Sequence, residues 1–485
     1  MTTDRRLTTL GMMLGIFLAG IDGTIVSTAM PTVVSSLGGL ELYSWVFAIY
    51  MLFAAITMPL FGRLADIYGR RRLFYIGIGI FVIGSVLAGA AQSMSQLIAF
   101  RALQGIGAGA MFSIPYTVLG VIYPPDQRGK AIGYGSAVWG VSSVIGPLLG
   151  YLIVTILSWR WVFYLSVPVG VAAVLVTARS LEETTGTTEQ HVDFAGAATL
   201  SVGVGAFLTA LEAFDTMPTV AAGLLVLGVT CLGAFYLIEQ RARVPILPLS
   251  LFDDTTFVVT NAAGFLTSFA VFAALTYDPL FVQSVRGSAA SAALIVFPIS
   301  IGWSGTSFVS GRLINRFGER RLATVGPLLM AVSFAVAAFW SATTPLWAMM
   351  VTVFVTGVGM GTLTPPLLVA IQNHFGTEQM GLATSSQQFF RNLGGTVGVA
   401  VLGVVLNASM RDRLGSVPGI SDLGDLQRLL LGGGETPAGI AAIMADGLTI
   451  VFTVAAAVCL TAAGVATYIP PAQTESNTSN SLDDN

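Results

Sequence analysis

An all-α membrane protein built from two similar six-helix bundles is the fold class this sequence predicts, and three observations predict it. Hydrophobic residues fill 54% of the 485 positions and charged residues only 10%, whereas a soluble domain carries about 25% charge. Too little polar side chain is present to cover a water-facing globule. Apolar runs of roughly 20 residues, long enough to cross a bilayer as helix, recur along the whole chain. Finally, the charged turn Gly62-Arg63-Leu64-Ala65-Asp66-Ile67-Tyr68-Gly69-Arg70-Arg71-Arg72 returns 249 residues later as Gly311-Arg312-Leu313-Ile314-Asn315-Arg316-Phe317-Gly318-Glu319-Arg320-Arg321.

Fourteen spans are expected. Six lie near 8–30, 44–63, 73–92, 96–119, 131–153 and 160–178. Two follow near 194–213 and 219–238, and a last six near 257–282, 290–310, 322–341, 346–370, 382–407 and 447–469. Run length selects helices, because barrel strands would alternate over roughly 10 residues. Of the 22 basic residues, fifteen fall in turns on the side of the N-terminus and five on the other, with Arg101 and Arg391 inside spans. Positive charge marks the cytoplasmic side, so both termini are expected there.

The repeat extends beyond the turn. Gly105-Ile106-Gly107-Ala108-Gly109 matches Gly357-Val358-Gly359-Met360-Gly361, and Gly129 matches Gly381, each 252 residues on; Gly146 pairs with Gly398 at the same offset. Each half thus has a counterpart in the same orientation, as parallel repeats require. Residues 1–178 form one six-helix half, 179–256 a linker carrying an inserted two-helix hairpin, and 257–472 the other half. A long outer loop is expected over 408–442, with a small interfacial helix around Leu423–Leu431, and a disordered tail over 473–485.

Composition also excludes functions. Arginines confined to short turns, with Lys130 the one lysine, make no nucleic-acid face. The two histidines, His191 and His374, have no clustered ligands, so no metal or other cofactor is expected. No phosphate-binding loop appears, which favours an ion gradient over ATP. Cys231 and Cys459 both fall in spans, against a structural disulfide. The first apolar run continues past Met30, longer than a cleavable leader. No segment could house a soluble catalytic domain and no convergent catalytic set appears, so an enzyme is not expected.

Charge inside a span is costly and marks function by default. Asp22 lies in the first span, roughly 12 Å below an outer boundary set at Pro31. Arg101 lies in the fourth, near the same boundary, long enough either to reach a carboxylate on the first helix or to snorkel outward. Asp278, in the ninth span, suits a cationic cargo, a second proton, or a hydrated vestibule pairing with Arg286. Arg391, near the inner third of the thirteenth, either closes a central cavity or neutralises a carbonyl cluster.

The chain resembles the major facilitator superfamily, in its drug:proton antiporter branch with fourteen spans, over residues 8–470. Gly62, Leu64, Asp66, Gly69, Arg70, Arg71 and Leu73 match the family signature between spans two and three. The resemblance implies a cytoplasmic gate of Gly62, Asp66, Gly69, Arg70 and Arg71, in which Asp66 meets a helix N-terminus. Asn315 replaces the acid in the second copy, so that latch is expected to be weaker. Asp22 and Arg101 fall in motifs similar to the family's proton-coupling elements. Gly146-Pro147-Leu148-Leu149-Gly150 resembles the antiporter motif, with Ser142 and Tyr151 departing from its glycines; Ser166 likewise stands where the branch commonly has asparagine.

The implied activity is proton-coupled efflux of amphipathic, cationic or lipophilic compounds by alternating access, from the plasma (inner) membrane and as a monomer, with protons and lipid as partners. Export of one native metabolite, lipid or peptide is the alternative, and a transport-dead receptor a more distant one.

Overall fold

A computed structural model describes residues 4–39, 42–182, 193–213, 217–242, 245, 247–286, 289–341, 343–414 and 440–470. Among them the elements are helical throughout. The first bundle comprises α1 (Arg5–Leu37), α2 (Tyr43–Tyr68), α3 (Arg70–Ala90), α4 (Met94–Ile122), α5 (Pro125–Ile156), α6 (Arg160–Tyr164) and α7 (Ser166–Ser180). The hairpin is α8 (Phe194–Ala213) and α9 (Pro218–Glu239). The second bundle is α10 (Thr255–Arg286), α11 (Ala289–Phe317), α12 (Glu319–Ala337), α13 (Leu346–His374), α14 (Met380–Leu414) and α15 (Ile440–Ala466).

Thirteen of these stretches are long and apolar enough to cross a bilayer, α6 and α7 counting as one, and Ala195–Leu211 of α8 is a shorter apolar helix. Most helices outrun the expected spans by several residues, because a helix need not stop where the hydrocarbon does. Asp4 starts α1 by accepting from the amides of Arg6 and Leu7, and Ser93 starts α4 by accepting from Gln96. Pro31 lies within α1 rather than at its end. Membrane helices tolerate proline, so Pro31 does not mark the end of the helix, and Asp22 sits about 22 Å from its far tip. Helices α14 and α15 extend into both ends of the expected 408–442 loop. The rest of that loop, the tail and His191 lie outside the described residues.

The repeat is a repeat of packing. Both charged turns pivot on a glycine at positive φ, Gly69 at 98° and Gly318 at 79°, where a side chain would be strained. A Cβ on Gly105 would come within 2.5 Å of the Tyr50 carbonyl, and one on Gly357 would collide with the carbonyl of Ile299, the counterpart of Tyr50 249 residues on. Gly107 and Gly359 press likewise on Gly77 and Gly326. Small residues let membrane helices approach closely where no water-driven force pulls them together. The same wedge therefore fixes α4 against α2 and α3, and α13 against α11 and α12.

The halves meet through α2 with α14 and α5 with α11, and α8 of the hairpin packs on both α2 and α14. One apolar core runs from Met12, Phe74 and Ile114 of the first half into Ile314, Leu368 and Leu382 at the inner end of the second. Towards the other face the halves have separate cores, one around Trp159 and Phe163 and one around Phe334 and Phe452. The molecule is closed at the end bearing the charged turns.

Candidate functional site

Two constellations stand out, a buried ion pair inside the first bundle and a latch across the inner end. Arg101 has no exposed side-chain surface, and Asp22 is only 6% exposed. The Arg101 Nη1 donates to Asp22 Oδ2 at 2.5 Å and to Gln104 Oε1 at 2.8 Å. Gln104 Nε2 donates in turn to Asp22 Oδ1 at 2.7 Å and to the Ser85 hydroxyl at 3.2 Å, which itself donates to the Phe163 carbonyl at 2.8 Å. Both carboxylate oxygens are thus engaged from α4. The guanidinium also bonds the Val46 carbonyl through Nε at 3.3 Å and lies 4.1 Å above the Tyr50 ring, so it ties α4 to α2 as well as to α1.

A pair this deep stands only with nearly complete hydrogen bonding, since removing one partner from a buried pair costs about 3–5 kcal/mol. Neutralising Asp22 with a proton is such a removal. Gln104, Ser85 and Tyr50 carry no charge; Gln104 falls in the motif around Arg101 without being singled out there, and nothing in the sequence separates Ser85 and Tyr50 from the many polar and aromatic residues of the spans.

At the inner end, Asp66 accepts from the amides of Gly381 (3.2 Å) and Leu382 (2.9 Å), in the first turn of α14. Arg70 pairs with Asp66 at 3.0 Å and donates to the Thr377 carbonyl at 2.6 Å. Gly62 admits this approach, because a Cβ there would collide with Ser385. Arg71 donates instead within the first half, to the Leu181 carbonyl at 3.1 Å. The second copy of the turn acts differently: Asn315 donates to the Asp126 carbonyl at 2.6 Å. Arg128 adds bonds to the Gln372 carbonyl and Asn373, and Gln388 reaches the Phe112 carbonyl. Among the described residues, every hydrogen bond recorded between the halves lies towards this end.

In α5, a Cβ on Gly146 would meet Thr24 and one on Gly150 would meet Thr28, so the Gly146-Pro147 segment lies against α1, two residues from Asp22. Helix α5 is continuous through Pro147. Ser142 is accommodated because Gly20 faces it on α1, and Tyr151 points outward, 64% exposed.

The remaining two charges lie in the second half. Asp278 is 5% exposed, on the buried stripe of α10 with Val271, Ala274 and Phe281, and its Oδ1 has no hydrogen-bond partner among the described residues. Arg391 faces the first half from α14, with the Tyr116 phenol of α4 the titratable group that reaches it. No cluster of metal-ligating residues occurs among the described residues.

The family model for the Major Facilitator Superfamily matches residues 12–399. The chain belongs to that superfamily. Among curated relatives of this superfamily member, the multidrug transporter protein MdtP of Bacillus subtilis is 39% identical over 413 residues, covering 84% of this chain and 76% of that protein. Multidrug resistance protein 3 of the same species is 36% identical over 401 residues, covering 82% and 78%. The efflux pump FUS6 of Gibberella moniliformis is 29% identical, covering 92% and 84%. Two solved structures share the superfamily fold at 16% identity. The human organic anion transporter MFSD10 gives a TM-score of 0.67 over 96% of this chain and 99% of that one, and the proton:xylose symporter XylE 0.65 over 96% of each.

Proposed function

We propose that this transporter is a proton-coupled antiporter that exports lipophilic, amphipathic compounds across the plasma membrane by alternating access. The single observation that carries the coupling is the Asp22–Arg101–Gln104 cluster: a carboxylate deep in the first helix, held by two side chains of the fourth. The multidrug transporters and efflux pumps among its relatives support the cargo class and the direction.

The arrangement described is closed on the cytoplasmic side and corresponds to the stage that awaits a proton from outside. Protonation of Asp22 discharges the ion pair and frees Arg101, which also grips α2 at Val46 and Tyr50. Helix α2 carries the gate, since Asp66 lies at its inner end. Asp22 thus reaches the latch through Arg101 and one continuous helix, α2. On the inward-facing side Asp22 releases its proton, Arg101 recaptures it, and cargo enters. A gradient of about 100 mV supplies about 2.3 kcal/mol per charge, roughly fifty-fold accumulation.

Dye movement in everted vesicles, with and without a proton uncoupler, tests the reading. Wild type moves dye and stops when uncoupled; Asp22→Asn inserts normally but no longer responds to the gradient. Gradient-driven movement that survives in Asp22→Asn would overturn the coupling, and movement indifferent to the uncoupler would overturn antiport itself.

A further inference from the structure

Among the described residues, Arg391 is a charge without a counter-charge. It sits eleven residues along α14 from Met380, about 16 Å into the membrane-crossing part of the helix. Among the described residues it makes no ion pair. Its neighbours on α14 turn towards the opposite half: Gln388 donates to the Phe112 carbonyl at 3.1 Å, and Asn392 approaches the Met58 sulfur at 3.7 Å. The facing wall is aromatic. Tyr116 stands opposite, Phe112 stacks on Trp139 at 5.8 Å, and Trp139 remains partly open beside Gly20 of α1.

The two acids deep within spans do not serve Arg391. Asp22 is taken by Arg101 and Gln104, and Asp278 lies on the buried stripe of α10 inside the second bundle. An arginine at mid-membrane is costly to insert, and such charges pair or line a pathway. Among the described residues, the titratable group that faces it is the Tyr116 phenol. The wall between the halves is therefore positive and aromatic.

The geometry points to Arg391 as the recognition group for cargo, and to carboxylate-bearing aromatic amphiphiles, rather than simple cations, as the compounds it selects. This rests on the export reading above and specifies its cargo. A guanidinium offers two parallel N–H donors that match the two oxygens of a carboxylate. Of the rings on this wall, Trp139 is partly open and offers an apolar face to a flat body, while Phe112 and Tyr116 are buried behind the surface. A free inorganic anion has the same charge but no apolar body, and the two are separable by experiment.

Rhodamine 110 and rhodamine 123 differ only in that the second is the methyl ester of the first, so one carries a free carboxylate and the other does not. Binding of each to the purified full chain in nanodiscs, read by fluorescence polarisation in low-salt buffer free of other carboxylates and again with added chloride, isolates that group. Wild type is expected to bind rhodamine 110 at least tenfold more tightly than rhodamine 123. Arg391→Gln should erase that preference while leaving rhodamine 123 binding in place, which also reports a folded protein. Arg391→Lys should keep part of it. Equal affinity of wild type for the two dyes, or an unchanged ratio in Arg391→Gln, overturns the assignment and leaves export standing. A preference that 100 mM chloride abolishes without weakening rhodamine 123 identifies an inorganic-anion site and likewise overturns it. Vesicles that move neither dye, with the binding ratio intact, count against export and not against Arg391.

Discussion

Replacing Asp66 by asparagine should open the inner end of the transporter, and the size of the effect follows from what the carboxylate touches. It accepts two amides at the N-terminus of α14 and pairs with Arg70 at 3.0 Å. A negative charge at a helix N-terminus contributes about 0.3–1 kcal/mol, up to about 2 when partly buried. Hydrogen bonds to a charged group contribute about 1.5–3 kcal/mol, against about 0.5–1.5 for neutral ones. The amide retains the shape and one acceptor and is less costly to bury than a carboxylate, so the net loss is about 1–2 kcal/mol, a shift of roughly 5- to 30-fold in the closed-to-open ratio. Spin labels on Gln127→Cys and Glu378→Cys report it, since both positions are exposed at the inner end, one in each half. With Cys231 and Cys459 replaced by alanine, pulsed electron resonance should give a short inter-label distance for the parent. The Asp66→Asn background should add a substantial longer population. Superimposable distance distributions would refute the argument that this carboxylate holds the halves together.

Other outcomes follow from the same geometry. Asn315→Asp should weaken its own latch rather than restore symmetry, because the new carboxylate would face the Asp126 carbonyl; the same spin-label pair should again show a longer population. Gly105→Ala and Gly357→Ala should each lower the apparent Tm of the purified protein by a similar amount, an overpacking cost of about 1–3 kcal/mol. Gly223→Ala, with nothing within 4 Å of the added carbon, should leave it unchanged. Gln104→Leu should impair gradient-driven dye export nearly as much as Asp22→Asn, since it leaves Asp22 Oδ1 buried without its donor.

The order of helices was legible because each span must be apolar for its full length, and the duplication because close helix crossings demand glycine at fixed intervals. Asp22 and Arg101 attract notice because charge in a span is rare. Gln104 and Ser85 escaped notice because neutral polar residues abound in these helices, most bonding their own backbone, as Thr117 does to Ser113 and Thr267 to Ala263. Only three-dimensional proximity separates them from the rest. Pro31 misled because proline usually ends helices in water, whereas here α1 continues six residues beyond it to Leu37.

The difference between the two latches has a cause in helix register. Helix α14 begins at Met380, so the amides of Gly381 and Leu382 belong to its unpaired first turn. Gly129 and Lys130 stand at the corresponding places in α5, but that helix begins earlier, at Pro125. Their amides fall beyond the first four positions and are committed to the helix itself. An acid at 315 would find no free donor there, whereas an amide can donate to the Asp126 carbonyl, which is what Asn315 does. The same asymmetry runs through the interior. The places that hold Tyr50, Arg101 and Gln104 in the first half are filled by Ile299, Val353 and Thr356 in the second. The packing skeleton is duplicated while the ionisable chemistry is not. A proton taken up at Asp22 therefore loosens one bundle only, and the other is left free to carry a fixed charge, Arg391, towards the cargo. Transplanting arginine to position 353 would test this division: the repeat offsets of 249 and 252 put Val271 or Ala274 at the place of Asp22, so it should destabilise the second half by several kcal/mol and confer no second coupling site.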